Sequence, residues 1–385
     1  MYYSLKKWII PFFNNYSHLA LIKKLKISYK KLIFKRELVI IDQLIQDANK
    51  IYLDFSCDIM VGVAQYGENE IVNPVNDNNI RYINFLEYNN INYEVFNICQ
   101  SDWLQKVLKY DLIIWAISSS PARLDEAKNK IFLLQNVLRK ECFPSFDSLF
   151  SYENKILQYY LFSVFGLPHV PTFISTDREE TLSYLEKCSY PIVSKICIGS
   201  GSRGVDILKN KRQALRYVNY VFSSGKKTYH TYLKQKDYIY FQEYISDSDY
   251  DLRVIVVGDK IFGYYRMKPK NDFRASGAGL VVKRDLPIEA MQIAVDCRDK
   301  LNAIMIAVDM LKSSKQNKYL IIEASIFFGI ETAEQLIVNG VPGYYLYQDN
   351  QYKFVEGKYW IQDFAFLEFL KSVKSVKKST YICNK

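Results

Sequence analysis

Two carboxylates sit where a polypeptide can least afford them. Asp309 lies inside Ile306-Ala307-Val308-Asp309-Met310-Leu311, and Glu323 ends Tyr319-Leu320-Ile321-Ile322-Glu323. Both runs are apolar and β-favouring, so each predicts a buried strand. A carboxylate there is costly unless it is paired or holds a metal ion. Two on neighbouring strands raise each other's pKa as well. Upstream, Lys195 interrupts a similar run, Pro191-Ile192-Val193-Ser194-Lys195-Ile196, and the loop Gly199-Ser200-Gly201-Ser202-Arg203-Gly204 follows it. A cation, a flexible backbone cradle and two converging carboxylates are the parts that hold a nucleoside triphosphate with magnesium. Two separate salt bridges, and a strand-edge lysine reaching solvent, are the plain alternatives.

The glycine loop alone is weak evidence. It lacks the Lys-Ser/Thr of a P-loop and the ordered spacing of a dinucleotide fingerprint. Arg266 and Arg274, with Asp272-Phe273 between them, offer planar bidentate recognition of an anion.

A length of 385 residues suggests two to three domains, and a chain nearly half hydrophobic can bury a sizeable core. The net charge is +10, diffuse except near the N-terminus, and no nucleic-acid motif accompanies it. The cysteines, 57, 99, 142, 188, 197, 297 and 383, are odd in number and form no C-x-x-C pair, which predicts free thiols in a reducing compartment. Three widely spaced histidines argue against a histidine metal site or triad. The apolar run at 8–13 is too short to span a bilayer and lacks a cleavage signal. The expected location is cytoplasmic.

Residues 1–49 hold no acid before Glu37 and nine basic residues among Leu, Ile, Phe and Trp, from Lys6 to Arg36. They read as a basic amphipathic helical arm, packed on the body or touching an anionic membrane. In 50–150, apolar runs at 51–55, 93–98 and 112–117 alternate with helix-like segments at 80–89, 103–109 and 122–140. This predicts a parallel sheet with helices on its faces, and residues 115–120 at a strand end are candidates to touch substrate. Helices follow at 153–165, 177–188, 212–223 and 287–302. Strands follow at 170–174, 205–208, 238–245, 252–257 and 260–267, the last two joined by a Gly258-Asp259 turn. Residues 225–236 read as a polar loop, and the last fifty carry no assigned chemistry.

In order and spacing these features resemble the ATP-grasp superfamily, and within it the ribosomal-protein glutamate ligase type of carboxylate–amine ligase. The resemblance covers 151 to about 336. It implies an α/β and α+β chain: an ATP-grasp fold of two α+β subdomains gripping ATP (151–245 and 246–340), a parallel-sheet pre-grasp domain (50–150), the helical arm (1–49) and a C-terminal extension (341–385). Residue by residue it places Lys155 and Lys195 on the phosphates, with the loop Gly199, Ser200, Gly201, Ser202 and Gly204 closing over them. Glu243 and Tyr244 fall at the adenine edge, and Asp251 on the ribose. Arg266, Arg274 and Ser276 stand near the transferred phosphate. Asp309 and Glu323 are the metal carboxylates, and Ser325 stands where the family carries Asn, a neutral oxygen donor of shorter reach. The catalytic set it implies is Lys195, Arg266 and Arg274.

The resemblance implies ATP and Mg²⁺ (with Mn²⁺ as the alternative), and amide formation from a carboxylate and an amine through an acylphosphate. The substrates expected are small molecules, free or linked to a glycan or a peptide. A sugar acid of surface-glycan synthesis is one reading and a peptide another. A nucleotide-binding pseudoenzyme acting as an assembly partner is the alternative outside catalysis. Nucleic acid is not an expected partner, and an oligomer stays open.

Overall fold

The computed structural model describes residues 40–382, apart from 42, 56, 68–77, 200, 202, 231 and 270–278, with side chains described as far as 373. Most of the basic arm, and Ser200, Ser202, Arg274 and Ser276, therefore lie outside the described residues.

The first layer is a parallel sheet of β1 (Met60–Gln65), β2 (Asn92–Asn97), β3 (Leu112–Trp115) and β4 (Glu141–Phe143), in the order β2-β1-β3-β4. The helices between them are α1 (Asn78–Tyr88), α2 (Trp103–Val107) and α3 (Pro121–Phe132), the last with Pro121 in its first turn. The expectation of a strand at 51–55 is corrected. There the Ile51 and Leu53 amides donate to the Tyr88 hydroxyl (3.3 Å) and the Asn89 side chain (2.9 Å) rather than to a neighbouring strand. The first strand is β1, whose Gly62 is required because an added Cβ would lie 2.4 Å from the Tyr110 ring.

After α4 (Phe146–Ser151) and α5 (Lys155–Val164) comes an antiparallel sheet ordered β5-β10-β6-β7. Its strands are Thr172–Ser175, Ile239–Glu243, Ile192–Lys195 and Val205–Leu208 respectively. Helices α6 (Arg178–Lys187) and α7 (Lys211–Val221) cover it through Leu185, Ala214, Val218 and Val221. Asp177 and Asn210 cap their N-termini by accepting from Glu180 and Gln213 amides. The segment expected as a polar loop instead holds a small hairpin, β8 (Lys226–Lys227) with β9 (Lys234–Gln235).

The third sheet is eight-stranded and centres on β11 (Tyr250–Val257), β12 (Lys260–Met267), β14 (Met305–Ser313) and β15 (Lys318–Ser325). Around them lie β13 (Val281–Val282), β16 (Ile337–Val338), β17 (Val341–Gln348) and β18 (Gln351–Glu356). Strand alternation divides its central faces. Leu252, Val254, Val256, Ile306, Val308 and Met310 pack under helix α8 (Ile288–Lys300). On the opposite face, Ile255, Val257, Met305 and Ala307 join Val61, Val63, Leu112 and Ile114 of the parallel sheet in one core. The C-terminal helix α9 (Ile361–Ile382) completes that core with Phe364, Phe366, Phe369 and Leu370. Burying each such side chain contributes roughly 1.5–3 kcal/mol, which is what holds the helix in place.

Candidate active site

The face that is apolar at one end of β11 and β14 is charged at the other. Register makes it so. Arg253 pairs with Asp309 between β11 and β14, and Asp251 pairs with Arg266 between β11 and β12. Asp309 stands directly opposite Glu323, and Ala307 opposite Ser325, between β14 and β15. A bulge at Asp309/Met310 keeps both acids on this face despite their spacing.

Asp309 is held by two guanidiniums. Arg253 donates from Nε to Oδ1 (2.7 Å) and from NH2 to Oδ2 (2.8 Å), a bidentate pair. Arg266 NH2 adds a contact to Oδ2 at 2.7 Å, and its Nε donates to Asp251. Burial alone would raise the Asp309 pKa, but Arg253 and Arg266 hold it well below the carboxylate range. Asp251 goes the other way. Its burial outweighs Arg266, and its pKa is pushed up to about 6. Arg253 was not singled out from the sequence, yet Asp251-Leu252-Arg253 carried the signal: two charges at i, i+2 on a strand share a face.

Glu323 faces the lysines. Lys155, the first residue of α5, reaches Glu323 Oε1 at 2.9 Å and also donates to the Gly199 carbonyl. Burial disfavours its ammonium, but Glu323 and Glu153 more than offset this and raise its pKa. Lys195 ends β6 with its ammonium 5.9 Å from the Tyr240 ring centroid, and no carboxylate pairs with it among the described residues. Burial, with Lys155 nearby, pushes its pKa down to about 8. A buried cation lacking an anion is what a phosphate group would complete.

The glycine loop opens against this cluster. Gly199 donates its amide to Glu153 Oε2 at 3.2 Å. Glu153 holds a left-handed φ of 54°, a conformation that costs a non-glycine residue about 1–2 kcal/mol. Its burial pushes its own pKa up. At the loop's far end Gly204 has φ +80° and returns its carbonyl to the Ile196 amide at 3.1 Å. Gln158 also shapes the site. Its side chain donates to the Ala324 carbonyl (2.8 Å) and accepts from the Ala324 amide (3.1 Å), pinning the edge strand that bears Glu323 and Ser325.

Glu243 and Tyr244 lie at the end of β10, where the chain passes between the two antiparallel sheets, and the Glu243 side chain is exposed. Ser325 donates its hydroxyl proton to the Phe327 carbonyl at 2.6 Å, leaving its oxygen lone pairs unused by that bond. Of residues 115–120, Trp115 is 1% exposed and packs on Tyr66, so it is core rather than substrate contact. The Ser120 hydroxyl meets Tyr232 of the hairpin at 3.2 Å.

Comparison with known proteins identifies the domain that carries this cluster. Residues 153–339 match the RimK-like ATP-grasp domain family. The alpha-aminoadipate–LysW ligase LysX of Saccharolobus solfataricus is 29% identical over 195 residues, covering 50% of this chain and 62% of that protein. The chain thus matches under two thirds of that relative's length. Among solved structures, the D-cycloserine synthetase DcsG aligns with a TM-score of 0.55 and 11% identity, over 81% of this chain and 99% of that one. The ATP complex of D-alanine–D-alanine ligase from Bacillus anthracis aligns with a TM-score of 0.52 and 14% identity, over 71% and 88%. At these identities the structures show the fold. The resemblance read from the sequence is borne out over residues 153–339, which match a RimK-like ATP-grasp domain.

Proposed function

We propose that the chain is an ATP-dependent carboxylate–amine ligase working through an acylphosphate. One observation carries the reading. Asp309 and Glu323 stand in register on one sheet face, ringed by Lys155, Arg253 and Arg266, beside a buried Lys195 that makes no ion pair among the described residues.

The donors suit a hard divalent cation, Mg²⁺ or Mn²⁺. A carboxylate offers about four lone-pair directions. Asp309 uses three on arginine N–H groups, and Glu323 uses Oε1 on Lys155. One direction on Asp309 and the Oε2 of Glu323 are left, with Ser325 as a neutral third donor. Among the described residues no group of three or more His, Cys, Asp or Glu could hold a metal. This fits Mg²⁺, which is commonly held by one or two carboxylates together with substrate phosphates. Bound there, it would neutralise phosphate charge.

The chain's own residues supply positioning and charge. Lys155 and Lys195 receive the phosphates, and the Gly199–Gly204 loop closes on them and limits hydrolysis. Asp251, Glu243 and Tyr244 take the ribose and adenine. The resemblance gives Arg266 and Arg274 to the transferred group; Arg274 lies outside the described residues. A carboxylate oxygen of the substrate attacks the γ-phosphorus and ADP leaves. The amine nitrogen then attacks the acyl carbon, phosphate leaves, and the nitrogen loses its proton as the amide forms. No covalent protein nucleophile is needed.

The name of the related LysX pairs an amino acid with LysW. It supports an amino acid as one substrate here, with the peptide-type reading ahead of the sugar acid. The basic arm that suggested a glycan or membrane context lies mostly outside the described residues. No described helix is long and apolar enough to cross a membrane. The test is ADP release over pooled carboxylates, with and without pooled amines. Carboxylate-dependent ADP release and a new amide by mass spectrometry are expected. ADP release that ignores the carboxylate, or none at all, would overturn the reading.

A further inference from the structure

The strand that bears Glu323 and Ser325 runs out into residues 326–336, which form neither helix nor strand. Lys283 of the RimK-like domain reaches the Thr332 hydroxyl at 3.2 Å, but several of the contacts that hold this segment come from outside that domain. Arg81, on α1 and 1% exposed, donates from NH2 to the Ile330 carbonyl at 3.0 Å. Its guanidinium carbon lies 4.3 Å from the Trp360 ring centroid, a stacked cation–π contact. Trp360 stands just before α9, whose first turn is tied to α1. Gln362 donates to the Asn78 side chain at 2.8 Å, and Asp363 accepts from the Tyr88 hydroxyl at 2.9 Å. The Tyr359 backbone amide donates a hydrogen bond to the Ala333 carbonyl at 3.2 Å.

The same segment touches the charged cluster. Ser325 is bonded to the Phe327 carbonyl, and the Phe328 ring lies 5.9 Å from the guanidinium carbon of Arg253, which holds Asp309. Phe327 is locked into the other side of the core against Tyr152, with ring centroids 5.5 Å apart. Arg81 therefore anchors a short span whose upstream residues contact Ser325 on the Glu323 strand and Arg253, the partner of Asp309. An arginine this deep is expensive unless its bonds are made, so its position is defined rather than adaptable.

We propose that Arg81, backed by Trp360, is a positioning residue for the site. It fixes residues 326–331, and through them Ser325 and the Phe328–Arg253 contact. It acts on turnover rather than on nucleotide binding, because the Lys155, Lys195 and β10 parts of the site are held elsewhere. The C-terminal helix thereby gains a role as the clamp on Arg81. The turnover part rests on the ligase reading; the loop-anchoring part does not.

The test uses the full chain with Arg81→Met, Arg81→Lys and Trp360→Phe. Hydrogen–deuterium exchange of peptides covering 326–336 should quicken about tenfold in Arg81→Met, as expected for one lost charge-assisted hydrogen bond. Exchange in β1 and β3 should stay unchanged. Mg·ATP affinity by calorimetry should stay within about twofold while carboxylate- and amine-driven ADP release falls about tenfold. Arg81→Lys, which keeps a donor for the Ile330 carbonyl, should recover part of both losses, and Trp360→Phe, which keeps the ring, should lose little. Unchanged exchange at 326–336 would overturn the proposal. So would equal quickening across β1 and β3, which would make Arg81 a core residue only, or an affinity loss matching the turnover loss. If the unaltered chain releases no ADP with any carboxylate, the ligase reading fails, and exchange still decides the anchoring.

Discussion

Asp309 and Glu323 face each other across β14 and β15, and each is already matched by cations of the chain, Arg253 and Arg266 on one and Lys155 on the other. The like-charge penalty the sequence foresaw is thus met by protein cations at both acids. It also sets the two acids apart energetically. Asp309 is the more deeply buried side chain, at 10% exposure against 26% for Glu323.

Asp309→Asn and Glu323→Gln should both abolish carboxylate-dependent ADP release but separate in stability. The first leaves two buried guanidiniums without their shared anion, a loss of about 3–5 kcal/mol. The second leaves Lys155 near Glu153 and should cost clearly less. Urea denaturation alongside the ADP assay checks both. Equal stability losses would contradict the assignment of Arg253 and Arg266 to Asp309.

Lys195→Met should weaken ATP binding and stabilise the free protein. Its folded pKa of about 8 lies below the ordinary 10.5, so at pH 7 the folded state holds this proton less tightly than the unfolded chain does. Removing the ammonium should gain about 1–3 kcal/mol at pH 7. Between pH 8 and 10.5 the unfolded chain binds more protons at this site, so its stability contribution rises with pH, and that rise should vanish in the variant. Chemical denaturation at pH 7 and pH 9, with ATP calorimetry, measures this. A destabilised variant with unchanged ATP affinity would refute the phosphate role.

Asp363→Asn should flatten the pH dependence of stability below neutrality. Burial pushes Asp363 up to about 7 from 3.8, despite the Tyr88 bond and Arg81. Between those values the folded state binds more protons than the unfolded chain, so this group's contribution falls as pH rises from about 4 to 7 and is flat above. Asn keeps an acceptor for Tyr88. The variant should therefore melt higher than the parent at pH 8 and close to it at pH 4, as thermal melts across that range would show.

Gly204→Ala and Gly201→Ala should differ although both glycines are left-handed. A Cβ at Gly204 would lie 2.4 Å from Ile196 Cδ1, whereas nothing lies within 4 Å at Gly201. Gly201→Ala should cost about 1–2 kcal/mol of backbone strain. Gly204→Ala should cost more and displace the strand end that carries Lys195, weakening ATP binding. Nucleotide titration of both variants tests the order.

Much of the site was legible because charged residues in apolar strands are conspicuous. Lys195, Asp309 and Glu323 were each visible as an interruption of a β-favouring run, and their order with Asp251 and the β10 strand carried the family. Partners were less visible. Arg253 belongs to Asp309 through cross-strand register, which sequence spacing shows only as a shared face. Glu153 and Gln158 act through bonds to residues more than forty positions away. In the fold, β1 was missed because its Gly62, demanded by the Tyr110 ring, weakens a six-residue strand signal. The 51–55 run looked like a strand because Ile51 and Leu53 do pack inward, yet side chains rather than a strand satisfy their amides. The last segment gave no chemistry because α9 acts by packing and by clamping α1.

The most direct test follows one oxygen. A carboxylate found by the ADP-release screen is labelled with oxygen-18 and turned over with ATP and its amine. If the carboxylate is phosphorylated before the amine attacks, one labelled oxygen passes to the released inorganic phosphate and the amide keeps the other. Phosphate free of label, or label carried into AMP, would contradict the acylphosphate ligase proposed for the Asp309–Glu323 site.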